Sequence, residues 1–551
     1  MATTVRLAWA GLALVLLASA GVASPTEDSA AAVVAPRGEA GETQSRMARF
    51  LGDRPAVGFY IYLYDWKQAK DPNVHDLDDA LAEMAKRGFN YLYVGAVADG
   101  EPWRRVLDFA AAHRMAVVPQ LDFAYLQSPS DNVGALVARA VPFIRKYKDN
   151  PAVAGFSIRE EPSAQLMPTV KKYFEGILAE VPDAPLHLLH NNLPAFEGSE
   201  APYPGIIGVD RYAFWWEFGS GGHRATPRYA LNWYRTQLDH YYQLAVQRHA
   251  EFQAVFTAST LETTVSPENA RKAFYPQTIT PDFREKAYQH LEQLAATKNQ
   301  GWDRGPQGML RFWKYYRPPG NCVRAMAWLA VMEGARSQAI WAWSPLPADM
   351  KGFAHRESGK AGREYICGIT GWDGNGTPQL EEYTSFVKEI RPYGRLIQAM
   401  SKEVVPAAAP GKGAGPAGSG EAAGFAVTGE DVFCRAFRVD GYTGRVIVVV
   451  NTQVGTWCEG RSPGFLSPTD TFRIDEWGNL VDYKPFDKPR EVTCRIAADG
   501  MDCVDLQTGE SRRAGDDATF SLSIMPGDGR FLFLCPKGSL EPGRLKQQFG
   551  L

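Results

Sequence analysis

The sequence lacks several patterns that mark common functional classes. Its 551 residues carry 59 Lys and Arg against 62 Asp and Glu, and the basic residues form no dense block. A protein that neutralises a phosphate backbone or an anionic membrane surface needs such a block, so we expect no nucleic-acid partner. No CxxC or HxxxH pair occurs, and we therefore predict no metal site.

Cofactor and serine-hydrolase motifs are also missing. The first predicted strand ends in Tyr64, Asp65 and Trp66, with no GxGxxG or P-loop after it. The same strand end lacks the His pair of a metal-dependent amidohydrolase, and no GxSxG occurs within the predicted barrel. We expect the protein to work without a cofactor.

Long apolar runs are confined to the beginning of the sequence. Arg6, an apolar run over 7–17 and the small residues that follow predict a cleaved signal peptide over residues 1–23. An uncleaved anchor is the alternative, but no second apolar span follows. We expect a secreted or periplasmic protein that leaves the membrane after cleavage. Export would permit disulfides, and Cys494 and Cys503 are near enough in sequence to staple a hairpin.

Short apolar runs alternate with amphipathic stretches from about residue 55 to 345, which is typical of βαβ units. Eight strands are predicted, namely GFYIYLY, NYLYVGA, MAVVPQLDF, AVAGFSIREEP, PLHLLHNN, IIGVDRYAF, FQAVFTAST and SQAIWAWSP. Eight such units predict a (β/α)8 TIM barrel, which we assign to residues 50–405. A long excursion over 260–321, with a helical stretch of its own, would wall the mouth of the barrel.

A second domain is predicted after the barrel. The Gly/Ala/Pro-rich stretch over 406–424 can hold no packed element, so it is interpreted as a linker. Short alternating runs such as VFCRAFRV, GRVIVVVNT and RFLFLCP follow it. They predict a C-terminal antiparallel β-sandwich over 425–540, bordering the cleft without supplying an acid.

The end of the fourth strand carries the densest group of ionisable residues. Period-two alternation places Ser157, Arg159 and Glu161 toward the barrel axis. Two adjacent carboxylates, Glu160 and Glu161, should push their pKa values apart, which suits one of them to act as an acid near neutral pH. A structural ion-pair cluster is the alternative. Glu333, by contrast, precedes the last strand at its amino end and is interpreted as structural.

The segment GFSIREEP resembles the fourth-strand motif of clan A glycoside hydrolases, in which a Glu followed by Pro is the acid/base. The resemblance extends over residues 55–400 and includes GNCVRAMAWLAVMEGARSQAIWAWSP, which is similar to the last helix and strand of such enzymes. It implies the acid/base role for Glu161. The family usually has Asn before that Glu to contact the sugar 2-hydroxyl, whereas this chain has Glu160, so either Glu160 makes that contact or the substrate or mechanism differs.

The resemblance also implies a nucleophilic Glu at the end of the seventh strand, and Glu262 is the candidate. Its parity differs from that of Thr257 and Ser259, so Asp210, at the end of the sixth strand, remains a competitor. Carboxyl groups about 5 Å apart predict retention of anomeric configuration, and about 6.5 to 9.5 Å predict inversion.

Other strand ends offer hydrogen-bonding groups and flat rings suited to a polyhydroxylated substrate. The predicted substrate-binding residues are Asp65, Asp122, Glu160, Asn191, Asp210, Tyr212, Trp215, Trp341 and Trp343. Packing of loop against barrel is the alternative for Trp215. Together these patterns predict a retaining glycoside hydrolase that cleaves an oligo- or polysaccharide. The rival hypothesis is a non-catalytic carbohydrate-binding or surface protein on the same barrel.

Overall fold

The computed structural model describes just over three fifths of the chain. The described residues are 46–52, 54–63, 77–95, 97–191, 205–214, 227–258, 260–265, 303–304, 310–315, 317–343, 356–357, 363–367, 369, 377–403, 421–422, 424–429, 431–457, 483–496, 500–513 and 519–551. The predicted signal peptide, the helical stretch in the long excursion and most of the predicted linker lie outside them. Among the described residues, no helix combines the length and apolar character needed to cross a bilayer.

All eight predicted barrel strands are present in one parallel sheet. They are β1 (Ala56–Tyr62), β2 (Tyr91–Gly95), β3 (Ala116–Pro119), β4 (Phe156–Glu160), β5 (Leu186–His190), β6 (Ile206–Asp210), β7 (Glu251–Thr257) and β11 (Ser337–Trp341). The pairing order is β3-β2-β1-β11-β7-β6-β5-β4. Parallel bridges from Val117 to Val153 and from Gln120 to Ser157 join the two ends of this order. The (β/α)8 barrel is thereby confirmed.

Alternation along each strand separates a barrel interior from an outer core. In β2, Tyr91 and Tyr93 belong to the interior cluster, whereas Leu92 and Val94 pack toward the helices. The helices are α1 (Arg46–Leu51), α2 (Leu77–Lys86), α3 (Glu101–His113), α4 (Val133–Tyr147), α5 (Met167–Glu180), α6 (Pro227–Gln247), α7 (Gly320–Met332), α8 (Pro378–Ile390), α9 (Gly394–Ala399) and α10 (Glu541–Phe549).

Local sequence explains where several helices begin and which face they bury. The Asn132 side chain accepts a hydrogen bond from the Ala135 amide at 3.1 Å and caps α4. Thr377 caps α8 in the same way, accepting from the Leu380 amide at 3.2 Å. In α5 the buried residues Val170, Phe174 and Ile177 recur at helical spacing and face the outer core.

The long excursion between β7 and β11 contains strands that the sequence did not predict. It contributes β8 (Thr260–Val265), β9 (Asp303–Arg304) and β10 (Leu310–Tyr315), and the segment after β11 adds β12 (Arg356–Glu357) and β13 (Arg363–Cys367). These form an antiparallel sheet in the order β12-β13-β8-β10-β9. Because β8 begins only three residues after the end of β7, this sheet starts at the carboxyl end of the barrel.

The C-terminal β-sandwich is also confirmed. Its six-stranded sheet contains β14 (Met400–Lys402), β17 (Val432–Val439), β18 (Arg445–Asn451), β25 (Gly529–Pro536), β22 (Met501–Asp505) and β23 (Ser511–Arg513). Its four-stranded sheet contains β15 (Glu421–Ala422), β16 (Phe425–Thr428), β21 (Arg490–Ile496) and β24 (Thr519–Ile524), and β19 (Gly455–Trp457) pairs with β20 (Tyr483–Pro485).

The sandwich and the barrel share one hydrophobic core. Trp328 in α7 packs on Phe531 in β25 with ring centroids 5.3 Å apart. A Cβ added to Gly529 would lie 2.4 Å from the Trp328 ring, so glycine permits the close approach of strand and helix. The predicted Cys494–Cys503 disulfide is wrong: both residues are buried thiols. The reason is that β21 and β22 belong to different sheets and form no hairpin.

Candidate active site

Three acidic side chains meet at the carboxyl ends of two barrel strands. Glu160 ends β4 and Glu161 follows it, while Asp210 ends β6. We call these three residues the acidic cluster. The electrostatic influence of Glu160 and Glu161 on Asp210 places all three carboxyl groups close together. The barrel thus brings Asp210, the predicted competitor for the second carboxylate, to the predicted acid Glu161.

A β-bulge in β4 determines which residues enter this cluster. Ser157 pairs with His187, but the next pair joins Glu160 to Leu189, so β4 has one more residue than β5 in this interval. Leu189 belongs to the barrel interior, and Glu160 opposite it also faces inward. The predicted inward position of Arg159 is wrong for this reason. Its guanidinium lies instead over the Tyr125 ring, 4.8 Å from the centroid.

The backbone at Glu161 adopts a conformation that non-glycine residues rarely use. Its φ angle is 45°, in the left-handed region, and its amide donates to the Leu189 carbonyl at 2.9 Å. Such a conformation costs about 1 to 3 kcal/mol and persists only where the surroundings enforce it. Here it allows two consecutive residues, Glu160 and Glu161, to contribute carboxyl groups to one cluster.

Asp210 is buried and holds its proton strongly. Its side chain is 8% exposed and accepts a hydrogen bond from the Tyr212 hydroxyl at 2.9 Å. Burial raises the pKa of Asp210 well above its usual range, and the charges of Glu161 and Glu160 and a hydrogen bond with Glu161 raise it further. The Tyr212 hydrogen bond opposes this rise without cancelling it. The hydrogen bond between Asp210 and Glu161 thus favours a state in which one proton is held between the two carboxyl groups.

Glu160 also has a strongly perturbed proton affinity. Burial raises the pKa of Glu160 to about 8, and the charges of Glu161 and Asp122 contribute to the rise. The Gln120 amide donates to Glu160 Oε2 at 3.2 Å, and the Tyr125 hydroxyl accepts from the Glu160 backbone amide at 3.1 Å. An acid whose pKa lies this close to neutrality is suited to proton transfer.

An aromatic surface lies beside the acidic cluster. The rings of Tyr212 and Trp341 stack with centroids 5.5 Å apart and an interplanar angle of 23°. The Thr257 hydroxyl fixes the end of β11 by donating to the Trp341 carbonyl at 2.9 Å. Both rings are partly exposed. Trp343, in contrast, is 5% exposed and packs edge-on against Phe59 in the outer core, so its ring offers no platform for substrate.

Below the acids, the barrel interior is filled by neutral polar groups. The Tyr60 and Tyr93 rings stack at 4.1 Å, and the Tyr93 hydroxyl donates to Ser157 Oγ at 2.7 Å. Burial lowers the pKa of His187 to about 4 and that of His190 to about 3. Both imidazoles are therefore uncharged at neutral pH and are poor proton acceptors. The carboxyl groups are therefore the candidates for proton transfer in this site.

Of the remaining predicted site residues, two lie at the same end of the barrel, one lies in the antiparallel sheet and two lie outside the described residues. Asn191 follows β5 and Asp122 lies in a short turn after β3, both half-buried and at the same end of the barrel. Glu262 lies in β8, where its backbone pairs with Trp313 of β10 and Tyr365 of β13. It thus belongs to the antiparallel sheet and not to a barrel strand. Asp65 and Trp215 lie outside the described residues.

Sequence reasoning missed Tyr125, which contacts both Arg159 and the Glu160 backbone. It follows a short 3-10 turn over Asp122–Ala124, and no strand-end pattern marks it. Within the described residues, no group of three or more His, Cys, Asp or Glu side chains has an arrangement that could hold a metal ion. The raised pKa values of Glu160 and Asp210 suit the acidic cluster to proton transfer.

No protein-family model and no curated protein matches the sequence. Solved structures with a similar architecture include a glycoside hydrolase with TM-score 0.43 and 10% identity, covering 88% of this chain and 93% of that one. A glycoside hydrolase family 5 protein from Bacteroides vulgatus has TM-score 0.41 and 9% identity over 88% and 89% of the two chains. A family 27 β-L-arabinopyranosidase from Geobacillus stearothermophilus has TM-score 0.37 and 9% identity over 90% and 99%. At this similarity the matches assign neither a substrate nor a site residue to this chain.

Proposed function

We propose that the protein hydrolyses O-glycosidic bonds of an oligo- or polysaccharide, with Glu161 as the acid/base. The observation that carries the proposal is the acidic cluster itself: three carboxyl groups at the mouth of a barrel, with the pKa values of Glu160 and Asp210 raised. Burying like charges together is unfavourable unless protons are retained, and retained protons are what a general acid needs.

The chemistry divides into two steps. Glu161 donates the proton that it shares with Asp210 to the leaving glycosidic oxygen as the bond from that oxygen to the anomeric carbon breaks. A second carboxylate attacks the anomeric carbon and forms a covalent glycosyl intermediate. Water then displaces this carboxylate, while Glu161 accepts the proton of the water. No cofactor enters either step.

Two residues compete for the role of the second carboxylate. Asp210 hydrogen bonds with Glu161, so these carboxyl groups are closer than the roughly 5 Å separation of a retaining pair. We therefore assign Asp210 to keeping the proton on Glu161. Glu262 keeps the nucleophile role as a hypothesis, supported by the start of β8 three residues after the carboxyl end of β7.

The surroundings of the acidic cluster suit a sugar ring. Tyr212 and Trp341 offer a partly exposed aromatic surface, and the Tyr212 hydroxyl also contacts Asp210. Aromatic faces pack against the apolar faces of sugar rings while carboxyl and amide groups bind the hydroxyls.

We include export in the proposal, and N-terminal sequencing of the mature protein from its native host checks cleavage after Ala20 or Ala23.

A panel of defined oligosaccharides tests the proposal, with Glu161→Gln, Asp210→Asn and Glu262→Gln compared with wild type. The matched control is Glu381→Gln, which removes a carboxylate from an exposed ion pair with Arg87. We expect wild type and the control to release sugar, and Glu161→Gln to lose about 10³-fold in kcat/KM. Wild-type protein that binds glycans but cleaves none would support the non-catalytic alternative instead.

The stereochemistry and the nucleophile are tested separately. NMR of the first-formed product should show retained anomeric configuration. Azide added to a Glu262→Ala variant should restore turnover and give a glycosyl azide, because the small anion can occupy the space of the lost carboxylate. Inverted product would rule out a carboxylate nucleophile altogether. No rescue at Glu262 together with rescue of Asp210→Ala would transfer the nucleophile role to Asp210.

A further inference from the structure

Among the described residues, the acidic cluster and its surroundings contain more acids than cations. Besides its three members, Asp122 lies near enough to raise the pKa of Glu160. Arg159 is the described cation that lowers this pKa, and its effect is smaller than those of Glu161 and Asp122. Its guanidinium is also directed to the Tyr125 ring, 4.8 Å from the centroid. A cation bound here would therefore replace the protons that Glu160 and Asp210 retain and pair with the carboxylates that form.

A buried acceptor at the same place provides an independent observation. Gln120 is 2% exposed, and its Nε2 donates to Glu160 Oε2 at 3.2 Å, which places the Gln120 amide against the acidic cluster. The carbonyl oxygen of that amide has no hydrogen-bond partner among the described residues. Leaving a buried polar atom unpaired costs about 1 to 3 kcal/mol, a cost that a donor from a ligand removes.

The chemical group that fits both observations is a protonated amine. An ammonium has three donors, no acceptor and a positive charge, so it satisfies the Gln120 carbonyl and offsets the carboxylates at the same time. A sugar hydroxyl has one donor, and its two lone pairs would face a surface that is already rich in acceptors. An acetamido group is neutral and adds a carbonyl acceptor.

We propose that the sugar bound in this pocket carries a free amino group, received by Glu160 together with Gln120. The inference rests on the proposed function and names its substrate class: glycans that contain amino sugars without N-acetylation. Glu160 is here a residue that binds substrate, and Glu161 remains the acid. The adjacent aromatic pair, Tyr212 and Trp341, would pack on the apolar face of the same ring.

Binding is measured first, with monosaccharides that have no glycosidic bond to cleave. Wild-type protein is titrated calorimetrically with glucosamine, galactosamine and mannosamine, and with the parent hexose and the N-acetyl derivative of each. We expect at least one amino sugar to bind about 10- to 100-fold more tightly than its parent, the range for a hydrogen bond to a charged group. In Glu160→Gln, which keeps the shape and loses the charge, the preference should fall below about threefold.

Turnover is measured second, with three β-1,4-linked oligosaccharide series that differ at one substituent. Chitosan, chitin and cellulose oligomers carry an ammonium, an acetamide and a hydroxyl at the same ring position. We expect wild type to prefer the chitosan oligomers, and Glu381→Gln to keep the preference because its carboxylate is 59% exposed and distant from the cluster.

The two proposals fail in different ways. Equal affinity for amino sugars and their parents, an undiminished preference in Glu160→Gln, or no binding of any amino sugar would each overturn the amino-sugar inference. Cleavage of neutral glycans without such a preference would leave the proposed hydrolase intact. Ammonium-dependent binding by a protein that cleaves no glycan would overturn the hydrolase and leave the amino-sugar pocket.

Discussion

Two groups of charged residues lie in different parts of the molecule, and the charge of their acids is neutralised in different ways. The acidic cluster at the carboxyl ends of the strands brings Glu160, Glu161 and Asp210 together. The second group, which we call the ion-pair cluster, lies between barrel and sandwich and contains Glu333, Asp239, Arg235, Lys402 and Arg435. Glu333 in this group is completely buried, yet Lys402 Nζ lies 2.8 Å from its Oε2 and Arg435 Nε lies 3.3 Å from the same atom.

Neighbouring charges shift the pKa values of the acids in opposite directions in the two clusters. Burial alone would raise the pKa of Asp239, but the charge and hydrogen bond of Lys402, 2.6 Å away, outweigh burial and lower it. At Asp210 burial raises the pKa and the neighbouring acids raise it further. In the ion-pair cluster the cations thus favour the ionised form of Asp239, whereas in the acidic cluster Glu160 and Asp210 retain protons.

The largest effect is expected from the pair Glu161 and Asp210. Glu161→Gln should lower kcat/KM about 10³-fold, equivalent to about 4 kcal/mol, and Asp210→Asn about 10²-fold. Because the two residues share one proton, the double variant should lose little more than Glu161→Gln alone. Steady-state kinetics of wild type, the two single variants and the double variant on the best glycan substrate measure this coupling. If the fold-loss of the double variant equals the product of the two single fold-losses, the two carboxyl groups act independently.

Breaking the ion-pair cluster should affect stability and spare activity. Glu333→Gln leaves Lys402 and Arg435 with Asp239 as their remaining acidic partner in the cluster, so we expect about 3 kcal/mol of destabilisation in urea unfolding. The folded variant should keep turnover within about threefold, since the cluster lies away from the carboxyl ends of the strands. Loss of turnover in fully folded Glu333→Gln would contradict this division of roles.

The pH dependence of stability should reveal the retained proton at Glu160. The pKa of Glu160 rises from its ordinary 4.5 to about 8 on folding, so folding binds a proton between these values. This contribution is complete below pH 4.5 and is lost as the pH rises through 8. Wild type should lose about 4 kcal/mol relative to Glu160→Gln between pH 5 and 9. Parallel stability profiles of the two proteins would contradict the shift.

The smallest effect is expected at an exposed ion pair. Glu381 Oε1 lies 2.7 Å from Arg87 Nη1, and the Glu381 side chain is 59% exposed. Water screens such a pair, so Glu381→Gln should change unfolding free energy by about 0.5 kcal/mol or less. A change as large as that expected for Glu333→Gln would show that burial does not distinguish these pairs.

The sequence predicted the parts of the site that follow from regular periodicity. Parallel strands of alternating pattern must gather their carboxyl ends, which is why the strand pattern alone leads one to expect Glu161 and Asp210 near one another. Glu333 was assigned a structural role because it precedes β11, and its ion pairs agree with that interpretation. The eight barrel strands and the sandwich followed from the same patterns, but several predicted strands extend beyond the observed ends.

Other features depend on contacts that no local pattern records. The β4 bulge exchanges the directions of Arg159 and Glu160, and its cause is the register with β5, not a particular residue. The antiparallel sheet from β8 to β13 joins segments separated by a barrel strand. The buried thiols of Cys494 and Cys503 lie in strands of different sheets, whereas their sequence spacing indicated a hairpin. Long-range pairing decides all three.

The most direct test of the acidic cluster is a pH titration of the side-chain carboxyl ¹³C resonances in the folded protein. Wild type should show a carboxyl resonance titrating near pH 8 that is missing from Glu160→Gln, and a second, Asp210 resonance that stays protonated well above the usual range. Both should persist in Glu333→Gln. If every carboxyl group of the wild-type protein has ionised by pH 5, the three acids share no proton and the proposed acid catalysis has no source.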